Sequence, residues 1–121
     1  MNSVDVINFT GKAAGDNVQI GYVPSFAIFI NKTQWDAGAS AAGKTAMALF
    51  VNGATIGAGT VEDSTDANYQ FSPIGNTTNG FSAYNGDDFV GLSYGTGLSI
   101  ADGDECSLVC FRASNVDALN D

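Results

Sequence analysis

The sequence predicts an all-β fold, an antiparallel β-sandwich or jelly-roll-like barrel of about eight short strands. Short runs of β-branched and aromatic residues recur at intervals of roughly ten residues along the chain. Glycine, at 15 of 121 residues, is about twice its usual share and favours tight turns. Charged residues make up only 14%, which argues against exposed helices. We expect one domain, residues 1–121, with short flexible termini.

The first half of the chain contains the clearest buried strand. Residues 4–9 and 18–20 are predicted strands. A corner follows at Gly21-Tyr22-Val23-Pro24, because proline fixes the chain direction. Residues 26–30 are an apolar run typical of a buried strand. The Ala/Gly/Ser stretch 36–44 is interpreted as a loop, since it has two glycines and no large apolar stripe.

The second half is predicted to begin with a hairpin. Apolar runs at 46–51 and 54–56 flank Asn52-Gly53, a pair whose residues both tolerate positive φ. Residues 61–68 are predicted to form an acidic loop. Further short strands, separated by turns rich in Gly, Asn and Asp, are predicted at 69–71, 80–84, 89–94, 98–100 and 105–113.

Two cysteines, Cys106 and Cys110, fall on one face of the last predicted strand. At the usual rise per residue they lie about 13 Å apart, too far for a disulfide. We therefore expect them to pack as small hydrophobic residues, as in a protein of the reducing cytoplasm. Because the chain contains no histidine, a zinc site is not expected.

The charge balance excludes two classes of partner. Four Lys and Arg residues against 13 Asp and Glu give a net charge of −9. The cations are scattered singly, so binding to nucleic acid or to an anionic membrane is not expected. No apolar run approaches the ~20 residues of a membrane span, and residues 1–5 lack the features of a signal peptide. We interpret the acidity as favouring solubility before assembly.

No catalytic, cofactor or metal site is predicted. Without histidine, the common Ser-His and Cys-His nucleophile pairs cannot form. Carboxylate groups occur at 62–66, Asp87-Asp88 and Asp102-Gly103-Asp104-Glu105, in or beside turns where Asp bonds its own backbone. The last of these groups lacks the spacing of a calcium loop. Because of their positions in turns, all three groups are interpreted as solvated turns. A small hydrolase built on paired carboxylates stays an alternative.

Aromatic residues supply a second alternative, a carbohydrate-binding module. Such modules stack sugars on aromatic rings, for which the chain offers Tyr22, Trp35, Tyr69, Tyr84 and Tyr94. The structural interpretation is favoured: these side chains pack at the rim of the sandwich and reach water with their polar ends.

Two segments of the chain carry a combined pattern. The first is Gly21-Tyr22-Val23-Pro24 with Ile30-Asn31-Lys32-Thr33 and Trp35, where a Gly-aromatic-x-Pro corner precedes a β-branched strand closed by an aromatic residue. The second is the ending, from Tyr94-Gly95-Thr96-Gly97 through Asp102-Gly103-Asp104 to Cys110-Phe111-Arg112-Ala113. Both segments resemble capsid decoration (cement) proteins of tailed bacteriophages, whereas residues 36–85 depart from the family pattern.

The resemblance implies a non-enzymatic structural virion protein on the outer capsid surface, assembled in the host cytoplasm. It implies a homotrimer that bridges neighbouring subunits of the major capsid protein, with no cofactor. The alternative is a carbohydrate- or receptor-binding module of a phage tail or fibre. Candidate contact segments are the ends, 1–5 and 114–121, and the loop 36–44, and a donated terminal strand could pair with the sheet edge of a neighbour. The predicted interface residues are Met1, Asn2, Ser3, Val4, Asp5, Trp35, Ala39, Val116 and Leu119.

Overall fold

A computed structural model describes residues 4–37, 45–51, 54–61, 69–72 and 80–112, with the backbone alone for 54–61 and 69–72. Within these residues the secondary structure is almost entirely β. The elements are β1 (Val4–Thr10), β2 (Asp16–Gln19), β3 (Phe26–Asn31), α1 (Lys32–Ala37), β4 (Thr45–Val51), β5 (Ala54–Val61), β6 (Tyr69–Ser72), β7 (Phe81–Asn85), β8 (Val90–Tyr94) and β9 (Glu105–Phe111).

The strands form two antiparallel sheets. The large sheet has the order β1-β9-β3-β4-β5-β6, and the small sheet has the order β2-β8-β7. The predicted all-β sandwich is therefore confirmed. The barrel form of that prediction is wrong, because β1 and β6 lie at opposite edges of an open sheet.

The core lies between the two sheets. In β3, Ala27 and Phe29 point inward and are almost fully buried, as are Leu108 and Cys110 in the neighbouring β9. Phe29 meets Phe81 of the small sheet with ring centroids 5.2 Å apart. The buried apolar cluster comprises Val18, Ala27, Phe29, Ala48, Phe50, Phe81, Leu92, Tyr94, Leu98, Ile100, Cys106, Leu108 and Cys110.

Three local predictions differ from the structure. Lys32–Ala37 is a short helix, although the sequence analysis placed no helix there. Thr96–Leu98 is a 3₁₀ turn, so the predicted strand at 98–100 is wrong. β5 continues to Val61, because its backbone pairs with β4 on one side and β6 on the other. In the described ranges no helix is long and apolar enough to cross a membrane.

The predicted hairpin between β4 and β5 agrees with the strand pairing. Val51 pairs with Ala54 in antiparallel register, as a two-residue connection requires. The turn residues Asn52 and Gly53 themselves lie outside the described residues, as do 38–44 of the loop predicted at 36–44 and 62–68 of the loop predicted at 61–68. Asp36 and Ala37 lie in α1 and Val61 lies in β5, so the predicted starts of both loops are wrong.

Candidate interaction surface

The large sheet has an apolar face on the side away from the core. Residues of β1, β9, β3 and β4 that alternate with the core residues face this side, and register aligns them in rows across the four strands. We call the apolar members the outer face: Val4, Phe111, Phe26 and Val51 in one row, Val6, Val109, Ile28 and Leu49 in the next, and Ile30 and Met47 in the third.

Exposure on this outer face is greatest at its two sides. Val4 is 44% and Val6 59% exposed on the edge strand β1, and Val51 is 38% exposed at the end of β4. The central side chains are half-buried by their cross-strand neighbours, and the rings of Phe26 and Phe111 lie 5.5 Å apart. Most sandwich sheets place polar residues on their outward positions, so apolar residues in every row are unusual.

The outer face ends in a polar groove. A cavity of about 370 Å³ opens there, lined by Asn8, Phe9, Thr10, Lys32, Glu105 and Cys106. The hydroxyl of Ser107 donates to Asn8 Oδ1 at 2.6 Å, so these two residues are paired across β1 and β9. The face therefore has the composition of an interface core beside a polar rim.

Helix α1 is attached to the end of the large sheet through Asn31. The Asn31 side chain accepts a hydrogen bond from the backbone N–H of Gln34 at 3.2 Å, which caps the first turn. Thr33 Oγ1 accepts from the backbone N–H of Glu105 at 2.8 Å. The helix carries Trp35, whose side chain is 44% exposed.

A buried carboxylate, Asp104, joins this helix to the turn before β9. It accepts hydrogen bonds from Asn31 Nδ2 at 2.8 Å and from Gln34 Nε2 at 2.9 and 3.1 Å. The backbone N–H of Ala101 donates to it at 2.9 Å. Asp104 is only 4% exposed, so the solvated-turn interpretation is wrong for this residue. The two segments that carry the phage resemblance meet at this network.

The neighbouring carboxylates of the same turn are arranged differently. Asp102 is exposed and accepts one hydrogen bond from the backbone N–H of Ala13 at 2.8 Å. Glu105 is exposed beside the polar groove. Across the described part of the chain, no group of three or more His, Cys, Asp or Glu side chains has a geometry that would hold a metal.

At the other end of the large sheet, three side chains form a second polar cluster. Tyr22 donates its hydroxyl hydrogen to Asp5 Oδ2 at 2.8 Å, and the Arg112 guanidinium lies 4.2 Å from the Tyr22 ring centroid. Burial and, after it, the hydrogen bond and charge of Asp5 raise the pKa of Tyr22 to about 12, against a smaller opposing effect of Arg112. The cluster fixes the corner between β2 and β3 to both terminal strands.

The structure describes three of the predicted interface residues. Val4 and Trp35 are exposed, as an interface requires, whereas Asp5 points inward to Tyr22. Val4 and Asp5 lie in β1 and pair with β9, as the strand predicted at 4–9 requires, so the expected flexible terminus does not include these two residues. The others lie outside the described residues: Met1, Asn2, Ser3, Ala39, Val116 and Leu119.

Most of the outer face is not predicted from the sequence. Continuous apolar character in the segments that form β3, β4 and β9 is the available signal, because it indicates apolar residues on both sides of a strand. At 26–30 this pattern predicts a buried strand. The structure covers only one side of these strands with the small sheet.

The described aromatic side chains occupy separate local environments. Tyr94 is buried, and its hydroxyl accepts a backbone hydrogen bond at 3.0 Å. Tyr84 stacks on Phe89 with centroids 4.8 Å apart. Both contacts are internal. The interpretation that the aromatic side chains pack at the rim and reach water is wrong for Tyr94, which lies in the core and accepts its hydrogen bond from the backbone of Lys12, while Trp35 keeps an exposed surface.

Both cysteines are free and buried on the inner face of β9. Burial raises the pKa of the Cys106 thiol to about 12 and that of the Cys110 thiol to about 11. They therefore pack as neutral hydrophobic groups, as the sequence predicted.

Comparison with known proteins gives no relative: no family model matches the chain, and no curated protein or solved structure is significantly similar to it.

Proposed function

We propose that this protein is a non-enzymatic structural component of a phage virion that decorates the capsid and bridges subunits of the major capsid protein. The observation that supports it most directly is the outer face. A small, strongly acidic β-sandwich with one uncharged apolar sheet face has the surface of a protein that assembles with other chains.

The arrangement of the fold suits a mechanical role. The outer face is built on four hydrogen-bonded strands of one sheet, so it is a rigid platform rather than a set of loops. Association with a rigid surface loses little conformational entropy. On a capsid lattice, many weak copies of one contact add up through multivalency to stable occupancy.

Binding to heads tests this function. The purified chain is mixed with empty expanded phage heads, pelleted and imaged, with unexpanded heads as the comparison. We expect occupancy at symmetry-related positions on expanded heads and greater resistance of decorated heads to heating. Heads that stay bare at every protein concentration would overturn the proposal.

The glycan-binding alternative has a separate readout. Among the residues whose side chains the structure describes, Trp35 is the exposed aromatic residue that a sugar would contact. If a glycan array gave a hit that Trp35→Ala abolished, while heads remained bare, the protein would be a receptor-binding module instead.

A further inference from the structure

We propose that the outer face is a contact between two copies of this chain, which pack face to face as a twofold-symmetric dimer. The inference rests on the proposed function for the role of the dimer, because a dimer offers two capsid-binding surfaces and can bridge two sites. The charge, size and shape of the outer face support the contact itself.

Charge distribution makes the outer face the least repulsive contact between two copies. The chain has a net charge of −9, so two copies repel each other in most orientations. The exposed acidic residues of the described chain lie outside the apolar rows: Asp36 at the end of α1, Asp87, Asp88 and Asp102 in turns, Asp16 at the start of β2 and Glu105 at the start of β9. The apolar rows of the outer face carry no charge. Contact through this face brings no carboxylates together within those rows.

The size of the face matches a modest dimer. Four strands about 4.8 Å apart and about 20 Å long give a projected area of roughly 300–400 Å². Two such rough surfaces pressed together bury on the order of 1,000 Å² in total, near the lower limit for a specific interface. We therefore expect a dissociation constant in the micromolar range.

Shape and the position of Glu105 select the orientation. Two twisted sheets of the same hand pack face to face with their strands nearly aligned. Glu105 lies at the polar end of the face, next to Lys32. An antiparallel arrangement puts the two copies of Glu105 at opposite ends of the interface, whereas a parallel arrangement would bring them together. A single self-complementary face closes the pair, which favours a dimer over the trimer that the resemblance implies.

Sedimentation velocity on the full chain over a concentration series tests the contact. We expect a mass near twice 12.4 kDa at high concentration and dissociation on dilution. Val6→Glu places a carboxylate in the contact and should weaken dimerisation at least tenfold. The matched control is Gln19→Glu, which adds the same charge at an exposed position of the small sheet and should leave the dissociation constant unchanged.

Val6→Thr keeps the experiment decisive if Val6→Glu does not fold. Threonine retains the β-branch that favours a strand and removes only apolar surface, so it should weaken the dimer less than Val6→Glu but in the same direction. Circular dichroism confirms that each variant is folded. A wild-type chain that stays monomeric, a wild-type trimer, or equal effects of Val6→Glu and Gln19→Glu would overturn the inference.

The two proposals fail separately. A dimer that ignores expanded heads leaves the face-to-face contact standing and removes the capsid function. A monomer that decorates heads does the reverse, and the outer face then binds the capsid itself.

Discussion

The carboxylate of Asp104 lies in the interior and is surrounded by hydrogen-bond donors. Amide groups of Asn31 and Gln34 and the backbone N–H of Ala101 all point at it. A buried carboxylate is tolerated when several hydrogen bonds replace its water. Its role here is structural, because it holds α1 against the turn before β9.

Replacing this residue tests that role. Asp104→Ala leaves the Asn31 and Gln34 amides without their acceptor in a buried place, so we expect the free energy of unfolding to fall by about 2–4 kcal/mol. Urea denaturation followed by tryptophan fluorescence measures this loss, since Trp35 lies on α1, the helix that Asp104 holds in place. The control Asp102→Ala, in the exposed part of the turn, should cost only about 0.5 kcal/mol. Equal losses in the two variants would contradict the structural role of Asp104.

Tyr22 gives the molecule a dependence on alkaline pH. Its pKa is raised to about 12 in the folded state by burial and by Asp5, whereas an unfolded tyrosine titrates near 10. The protonated phenol therefore contributes stability that is complete below about pH 10 and is lost as the pH rises through about 12. Between about pH 10 and about pH 12, we expect the free energy of unfolding to fall less in Tyr22→Phe than in the wild type.

Ultraviolet absorbance of tyrosinate checks the assignment. Subtracting the Tyr22→Phe titration from that of the wild type isolates one phenol, which should ionise late. In Asp5→Asn the late titration should move toward the ordinary value, but not reach it, because burial is the largest cause of the shift. A Tyr22 that titrates at the ordinary value in the wild type would contradict the contact with Asp5.

Residue-level chemistry was only partly readable from the sequence. The Asn31-Lys32-Thr33-Gln34 segment contains an N-cap signal, since Asn is a favoured cap and Gln follows three residues later. The partnership with Asp104 was not readable, because Asn31 and Asp104 are 73 residues apart. A local turn bond explains only the contact of Asp104 with the backbone N–H of Ala101. The bonds of Asp102 with Ala13 and of Asp104 with Asn31 join segments that are far apart in the sequence.

At the scale of elements, β8 holds the small sheet together and relies on a glycine. Gly91 pairs with Gln19 of β2 on one side and Tyr84 of β7 on the other. A Cβ atom at this position would overlap the carbonyl oxygen of Val18 and lie 3.0 Å from the backbone nitrogen of Ile20. The close approach of β2, rather than an unusual φ, requires glycine here.

Gly91→Ala should therefore separate β2 from β8. We expect a loss of more than about 2 kcal/mol in the free energy of unfolding, because the obstacle is backbone and cannot rotate away. Hydrogen exchange should show the loss of protection concentrated in β2. Ser93→Ala on the same strand removes only the hydroxyl contact with Ser82 and should cost about 1 kcal/mol or less. Unchanged protection of β2 in Gly91→Ala would contradict the clash.

Most strands followed from local patterns, and the exceptions have physical causes. Apolar runs located β3, β4 and β9, and the Asn52-Gly53 pair located the turn between β4 and β5. Helix α1 was missed because its six residues are too short to show an apolar stripe. The strand predicted at 54–56 is shorter than β5, because Gly57 and Gly59 are unfavourable in strands. Backbone pairing of β5 with β4 and β6 outweighs that preference. The order of strands in the sheets depends on non-local contacts, which local patterns do not encode.

At the scale of the whole molecule, net charge and the outer face act in opposite directions. The charge of −9 drives copies apart, and the apolar rows draw them together. Added salt screens the repulsion over distances of about 10 Å and leaves apolar burial intact. We therefore expect the proposed dimer to tighten as sodium chloride is raised. Sedimentation at low and moderate salt measures this, and weakening by salt would mean that ion pairs, not the outer face, hold the copies together.

The position of β9 has a consequence for how the chain is made. β9 sits between β1 and β3, so both strands gain their shared neighbour only when residues 105–111 have left the ribosome. Pairing across such a sequence distance is slow, and unpaired strand edges are exposed in the meantime. The large sheet is thus completed by the strand that is synthesised after all its neighbours, and nascent chains that stop before it leave β1 without its partner strand and one edge of β3 unpaired. The order of synthesis therefore sets when the outer face forms: it exists as a complete surface only after β9 is translated.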